Sequence, residues 1–439
     1  MERRRRSGAR VRGPSPGPAG ESLDEGPTTT RRGLDGRLLV VGALVVYASA
    51  LAISQAAWSV DIWPYLGVGR APTLFFDARN VAAAADCWAL GYDPLIENPC
   101  DPTGRVMNYP RVWVLLHYLG LTQDRTLLFG SIVVALFLLS LLLLLGPLSI
   151  KQGVVVALAV TSPAVMFAIE RGNIDLLLFA VFVAAVFAWK ARERLSPLLS
   201  PALIVVAAIA KLYAVFALPA YALTGDRRVR WALPAGIVLL GGYVVLTLDD
   251  FRAVLSAPEG GRTGSYGARI LIGYLYHLAW PGEWLHGNLL AQGIAILFLV
   301  VLAAAAWVWA RRRLAWPPGV EQASPELLAF HLGSLTFLGT FALRRSGDYR
   351  LVLLLLTLPL LFRLASGAGS SIFTKLGRAG VIAIIARLWL GGLSQFITPV
   401  HELASWAIAG IFIALLAATV PRLHLPFTTW ARTLTGRAR

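Results

Sequence analysis

Residues Leu127–Pro147 read LLFGSIVVALFLLSLLLLLGP, without a single charge. At 1.5 Å per helical residue, such a run matches the roughly 30 Å hydrocarbon core of a bilayer. A second run, Leu289–Ala310, LLAQGIAILFLVVLAAAAWVWA, has the same character. The rest of the chain agrees: 57% of its 439 residues are hydrophobic and its mean hydropathy is +0.66. No polar stretch is long enough to bury a core of its own. The predicted fold class is therefore an all-α integral membrane protein.

Working outward, apolar segments at about 37–56, 126–146, 152–169, 173–189, 231–248, 288–310, 326–343, 349–364, 379–395 and 403–420 can each cross once. The segment 197–223 is interrupted by Lys211 and Tyr213 and has basic clusters on both sides. It reads as a broken hairpin with Lys211 near its outer tip, since irregular backbone at depth is tolerated where it lines a cavity. The count gives a polytopic bundle of about 10–12 transmembrane helices.

The net charge of +16 is carried in short clusters between apolar spans. That is a topology signal and not a nucleic-acid footprint, so no nucleic-acid partner is expected. With the N-terminus inside, Lys151, the cluster of Lys190, Arg192 and Arg194, the cluster of Arg227, Arg228 and Arg230, Arg311–Arg313, and Arg363 with Lys375 and Arg378 all fall in the cytoplasm. The chain then divides into a disordered cytoplasmic tail (1–36), a transmembrane domain (37–420) and a basic cytoplasmic tail (421–439). Leu38–Ala57 is too long for the apolar core of a signal peptide. The expectation is a multi-pass protein of the cell (inner) membrane with both termini cytoplasmic.

Two long loops, 57–125 and 249–287, face outside in this scheme. The first holds seven acids: Asp61, Asp77, Asp86, Asp93, Glu97, Asp101 and Asp124. It also holds both cysteines, Cys87 and Cys100, which read equally well as a bridge in an oxidising compartment or as two unrelated buried thiols. The second opens with Asp249 and Asp250, and its Ala268–Trp280 stretch reads as a helix lying at the interface.

The candidate chemistry gathers on the same face. Asp77 stands before an Ala-rich helix that Gly91 ends, so it reads either as a helix cap or as a general base for a hydroxyl. Asn108-Tyr109-Pro110-Arg111-Val112-Trp113 turns into an apolar helix at Pro110, with its aromatics as interfacial anchors or site residues. In Glu170-Arg171-Gly172-Asn173-Ile174-Asp175, Arg171 and Asp175 are four apart and could pair on one helix face. Asn173 can cap that helix, whose N-terminus favours an anion, and Asp175 is an intramembrane acid, a costly position seldom left idle. Arg344, Arg345 and Arg350 fall outside against the positive-inside trend, in Arg344-Arg345-Ser346-Gly347-Asp348-Tyr349-Arg350, and precede another helix start. Lys211 either snorkels to the interface or meets a phosphate. No metal or nucleotide motif is present and the six histidines are scattered, so no cofactor is expected and a divalent metal has no support.

These motifs resemble the GT-C membrane glycosyltransferases, and among them the family-87 polyprenyl-phosphate-dependent mannosyltransferase-like proteins. The resemblance lies in Asp77 followed 14 residues later by Gly91-x-Asp93-Pro94, in Tyr109-Pro110, in the Arg-Gly-Asn-x-Asp element at 171–175, in Tyr349-Arg350 before a Leu-rich span with Pro359, and in Lys211. It departs at Arg111, where a second Pro often follows, and at Arg79-Asn80, where the family has Tyr-Tyr. The resemblance implies an inverting transfer of a sugar, a hexose such as mannose, from a polyprenyl-phosphate donor to a lipid or glycan acceptor at the extracytoplasmic face. Asp77 would be the base, and Arg171, Lys211, Arg344, Arg345 and Arg350 would bind the donor phosphate. Asn173, Asp175, Asp93, Tyr109 and Tyr349 would meet acceptor or sugar, or support the site. A lipid or solute transporter and a non-catalytic assembly subunit are the alternative classes; the first would favour paired discontinuous helices.

Overall fold

The computed structural model describes residues 35–191, 196–226, 229, 231–256, 264–280, 289–343, 345–367, 371–391 and 394–420. The two tails expected at the termini, apart from residues 35 and 36, lie outside the described residues.

The helices in chain order are α1 (Arg37–Trp58), α2 (Phe76–Ala89), α3 (Thr126–Leu145), α4 (Ile150–Val160), α5 (Pro163–Arg171), α6 (Ile174–Ala191), α7 (Ser196–Ala210), α8 (Pro219–Leu223), α9 (Ala232–Leu246), α10 (Leu248–Ser256), α11 (Ala268–Ala279), α12 (Leu289–Arg313), α13 (Pro325–Leu343), α14 (Leu358–Ala365), α15 (Ile372–Leu390) and α16 (Ser394–Thr419). Two residue pairs, β1 (Ser265–Tyr266) and β2 (Ser346–Gly347), form a short antiparallel ribbon. Among the described residues six helices are long and apolar enough to cross a membrane, or up to eight if each bent pair is one span. The chain is an all-α, multi-pass membrane protein.

The expected ten to twelve crossings included segments that the chain breaks. The stretch 152–169 is two helices, α4 and α5, bent by 55° where Ser162 caps and Pro163 opens the second. The stretch 349–364 is a ten-residue 3-10 helix, Asp348–Thr357, followed by α14. α15 carries Lys375, Arg378 and Arg387. The interruption at 197–223 is where the sequence indicates. α7 stops at Ala210, Lys211 is extended, and a 3-10 helix (Leu212–Ala217) leads into α8. The two limbs lie side by side, since the Ser200 and Tyr221 hydroxyls are 2.7 Å apart.

The helices that meet lipid and those that fill the core differ in exposure. On α1, α3, α9 and α12 large apolar side chains such as Val46, Leu127, Val238 and Leu297 are exposed, which in hydrocarbon needs no protein partner. α6, α13 and the Asp348–Thr357 segment are buried on nearly all sides, around the rings of Phe330, Phe337, Phe341 and Phe412. The Ala268–Trp280 stretch is helical as expected, as α11. Cys87 and Cys100 are bridged, which settles the alternative left open above.

Candidate active site

The first wall is the start of α2. Phe75, just before it, has φ +58°, a left-handed backbone that bulky residues rarely adopt. Its N–H donates to the Glu170 carbonyl at 2.8 Å, and its ring occupies space that side chains at Gly130 and Gly172 would fill. α2 is thereby pinned against the end of α5. Asp77 is the second residue of α2 and does not cap it: Phe75 holds the cap position, with no side-chain bond. The Asp77 carboxylate is turned instead toward the α5–α6 junction.

That junction is a sharp turn at Gly172, with φ +55°. It separates Arg171 and Asp175, so the pairing expected from their spacing does not form; they end one helix and begin the next. Arg171 reaches Asp77 Oδ1 at 3.0 Å, and the Asn173 amide donates to Asp77 Oδ2 at 2.6 Å. Asn173 Oδ1 meanwhile accepts from the Asp175 N–H at 2.9 Å, capping α6 as expected. Asp175, fully buried, accepts from Lys211 and from the Tyr213 hydroxyl, and lies 3.8 Å from Arg350 Nε.

The second wall surrounds Lys211. Its ammonium faces the rings of Tyr109, Tyr213 and Tyr349 at 5.1, 5.6 and 5.5 Å, a cation–π setting. The residue is buried within the protein and does not snorkel. Tyr109 and Trp113 are buried too, not interfacial anchors; the Trp113 indole donates to the Ala210 carbonyl at 2.8 Å, just before the break. Arg350 lies over Tyr213 at 4.6 Å and donates to Ser346 at 3.0 Å.

These walls enclose one cavity of about 1000 Å³, lined by Asp77, Arg171, Lys211, Arg345, Tyr349, Arg350 and Tyr109, among others. Arg344 lies outside the described residues. Asp93 lies elsewhere: it shares the Arg111 guanidinium with Asp250, at 2.9 and 2.8 Å, and this clasp joins the 57–125 segment to the start of α10. Partial burial raises the Asp93 pKa, but the Arg111 fork lowers it further, leaving it below the usual value.

Arg105 was not anticipated. It stacks on Phe76 at 3.4 Å, donates to the Phe76 carbonyl at 2.8 Å, pairs with Asp101 at 2.9 Å and lies 3.7 Å from Asp77. Asn80, at a departure from the family pattern, donates to Asp101 at 3.0 Å and so holds the loop bearing Arg105. The same loop also carries Arg70, Arg79, Arg111 and Arg125, so the sequence alone does not set Arg105 apart.

An acid held by two fixed donors, lining one cavity with a cluster of cations, suits transfer of a group from an anionic leaving group to a hydroxyl. The sequence model for glycosyltransferase family 87 matches residues 112–341, just over half of the chain. No curated protein and no solved structure matches. The match contains Arg171, Asn173, Asp175 and Lys211 and joins them to the fold and cavity described above: the chain belongs to glycosyltransferase family 87.

Proposed function

We propose that this membrane glycosyltransferase takes its sugar, a hexose such as mannose, from a polyprenyl-phosphate donor and passes it with inversion to a hydroxyl of a lipid or glycan acceptor. The cavity faces the extracytoplasmic side of the inner membrane, and both termini are cytoplasmic. One observation carries the reading. Among the described residues, Lys211 and Arg350 both line the cavity and share a single acid, Asp175. An excess of cations inside a membrane protein calls for an anionic ligand, and a lipid phosphate supplies it.

The acceptor oxygen attacks the anomeric carbon as that carbon's bond to the phosphate oxygen breaks. The hydroxyl proton goes to Asp77 and the electron pair leaves with the polyprenyl phosphate. Asp77 suits the base. A carboxylate has about four acceptor sites, and Arg171 and Asn173 make its two hydrogen bonds to other side chains. Room remains for the acceptor hydroxyl. Lys211 and Arg350 stabilise the leaving phosphate, while Asp175 positions both and Tyr109 and Tyr349 flank them. Arg171 is shared, since it holds Asp77 and faces the cavity. The test is transfer by purified protein in nanodiscs from a polyprenyl-phosphate hexose. Arg350→Ala should raise donor KM more than acceptor KM; donor KM equal to the parent's in a folded variant would refute the phosphate assignment.

A further inference from the structure

We propose that a second, smaller groove beside α1 seats the hydroxylated head group, a sugar or polyol, of a membrane-anchored acceptor. The inference rests on the transferase reading above and adds where its acceptor binds. The groove, about 230 Å³, lies between the outer end of α1 and the 60–74 segment, and Trp63, Asp61, Arg70, Gln55 and Glu170 line it. Its volume is below the roughly 300–1,000 Å³ of drug-sized ligand sites, so it suits one small head group and not a lipid chain.

Glu170 is the decisive residue. It is 1% exposed, and one carboxylate oxygen accepts from the Ala71 N–H at 3.1 Å. The other oxygen, Oε2, has no hydrogen-bond partner. A buried polar atom left unpaired is costly and calls for an explanation; a ligand hydroxyl in the groove supplies the missing donor. Trp63 adds an aromatic wall with a polar edge, so that ring C–H groups and hydroxyls of a sugar both find partners.

Charge selects the ligand. Arg70 is tied to Asp61 at 2.7 Å, so the groove's guanidinium is already matched. An anionic head group is therefore disfavoured here and a neutral hydroxylated one favoured, the reverse of the cation-rich main cavity. Position then assigns it to the acceptor. Arg70 lines both spaces, and the residue after Glu170 is Arg171, which holds Asp77. The groove thus adjoins the site next to Asp77. Exposed apolar residues of α1, Val45, Val46 and Ile53, leave the ligand's tail in lipid.

The test uses the full chain in nanodiscs with octyl α-mannoside as probe, followed by saturation-transfer NMR and by transfer kinetics. Glu170→Gln keeps an oxygen for Ala71 but can place a donor where Oε2 stands; Gln55→Trp fills the groove from an exposed helical position and guards against misfolding of the first. Both should abolish saturation transfer to the sugar protons and raise acceptor KM about tenfold, with donor KM unchanged. Saturation transfer unaffected by either variant overturns the proposal, as does equal binding of octyl phosphate. If the parent transfers no sugar yet binds octyl mannoside in a variant-sensitive way, the groove stands and the proposed transfer falls.

Discussion

Replacing Lys211 with Met keeps the aliphatic stem and deletes the ammonium from a buried ion pair at the cavity. The Asp175 side chain is 0% exposed and that of Lys211 11%. Asp175 would retain the Tyr213 hydroxyl and the capping role of Asn173, with Arg350 Nε at 3.8 Å as its nearest remaining cation. Stranding one member of a buried pair costs about 3–5 kcal/mol. Arg350 offsets part of this, which puts Lys211→Met near the lower figure. Asp175→Asn added to it removes the stranded charge, and the double variant should recover most of the loss, since neutralising both partners of a buried pair is often close to neutral. The expected coupling is about 2 kcal/mol, read from a double-mutant cycle of reversible SDS unfolding in mixed micelles, followed by tryptophan fluorescence. A coupling below about 0.5 kcal/mol would refute the reasoning, because Asp175 would then not be the group that fixes Lys211.

Three other outcomes follow from the geometry. Gly172→Ala forces a side chain into a left-handed turn, with its Cβ 3.1–3.2 Å from Phe75 and Ala78; it should cost about 1–2 kcal/mol and depress turnover beyond that loss, as Arg171 and Asn173 shift off Asp77, and parent-like turnover would contradict it. Serine at Cys87 and Cys100 opens a 13-residue separation and should cost about 3 kcal/mol, matched by adding reductant to the parent in denaturation experiments. The Arg111 clasp should depend on pH. The pKa of Asp93 is lowered in the fold, so its contribution is full above the unfolded value near 3.9 and is lost as pH falls through the lower folded value; hydrogen exchange of the Leu95 N–H, which donates to Asp93, should stay slow at about pH 5 and rise below about pH 4.

Much of the fold was legible because lipid imposes it. Leu127–Pro147 and Leu289–Ala310 need no tertiary context to be read as spans. Lys211 announced the broken segment, since a charge inside an apolar run must line a cavity or pair. What the sequence hid is pairing across distance. Arg171 and Asp175 look like partners at four residues' spacing, yet the left-handed Gly172 sends them to different acids and bases, Asp77 and Lys211, far off in the chain. Asp77 looked like a cap because composition places it before a helix; only the pinning of Phe75 under Gly130 and Gly172 moves the helix start back and frees the carboxylate. Arg105 sits in a loop whose path is set by the Cys87–Cys100 bridge and Asn80, neither of which periodicity reports.

The most direct measurement of the central claim is sugar transfer by Asp77→Asn. The amide keeps the size of the side chain and an oxygen for Arg171. The variant should fold and bind donor like the parent while its transfer rate falls by about 10²–10⁴, the usual contribution of a general base. Asp249→Asn, whose parent side chain is 94% exposed, should transfer normally. Transfer by Asp77→Asn near the parent rate, in protein that folds and binds donor, would contradict the assignment of Asp77 as the base.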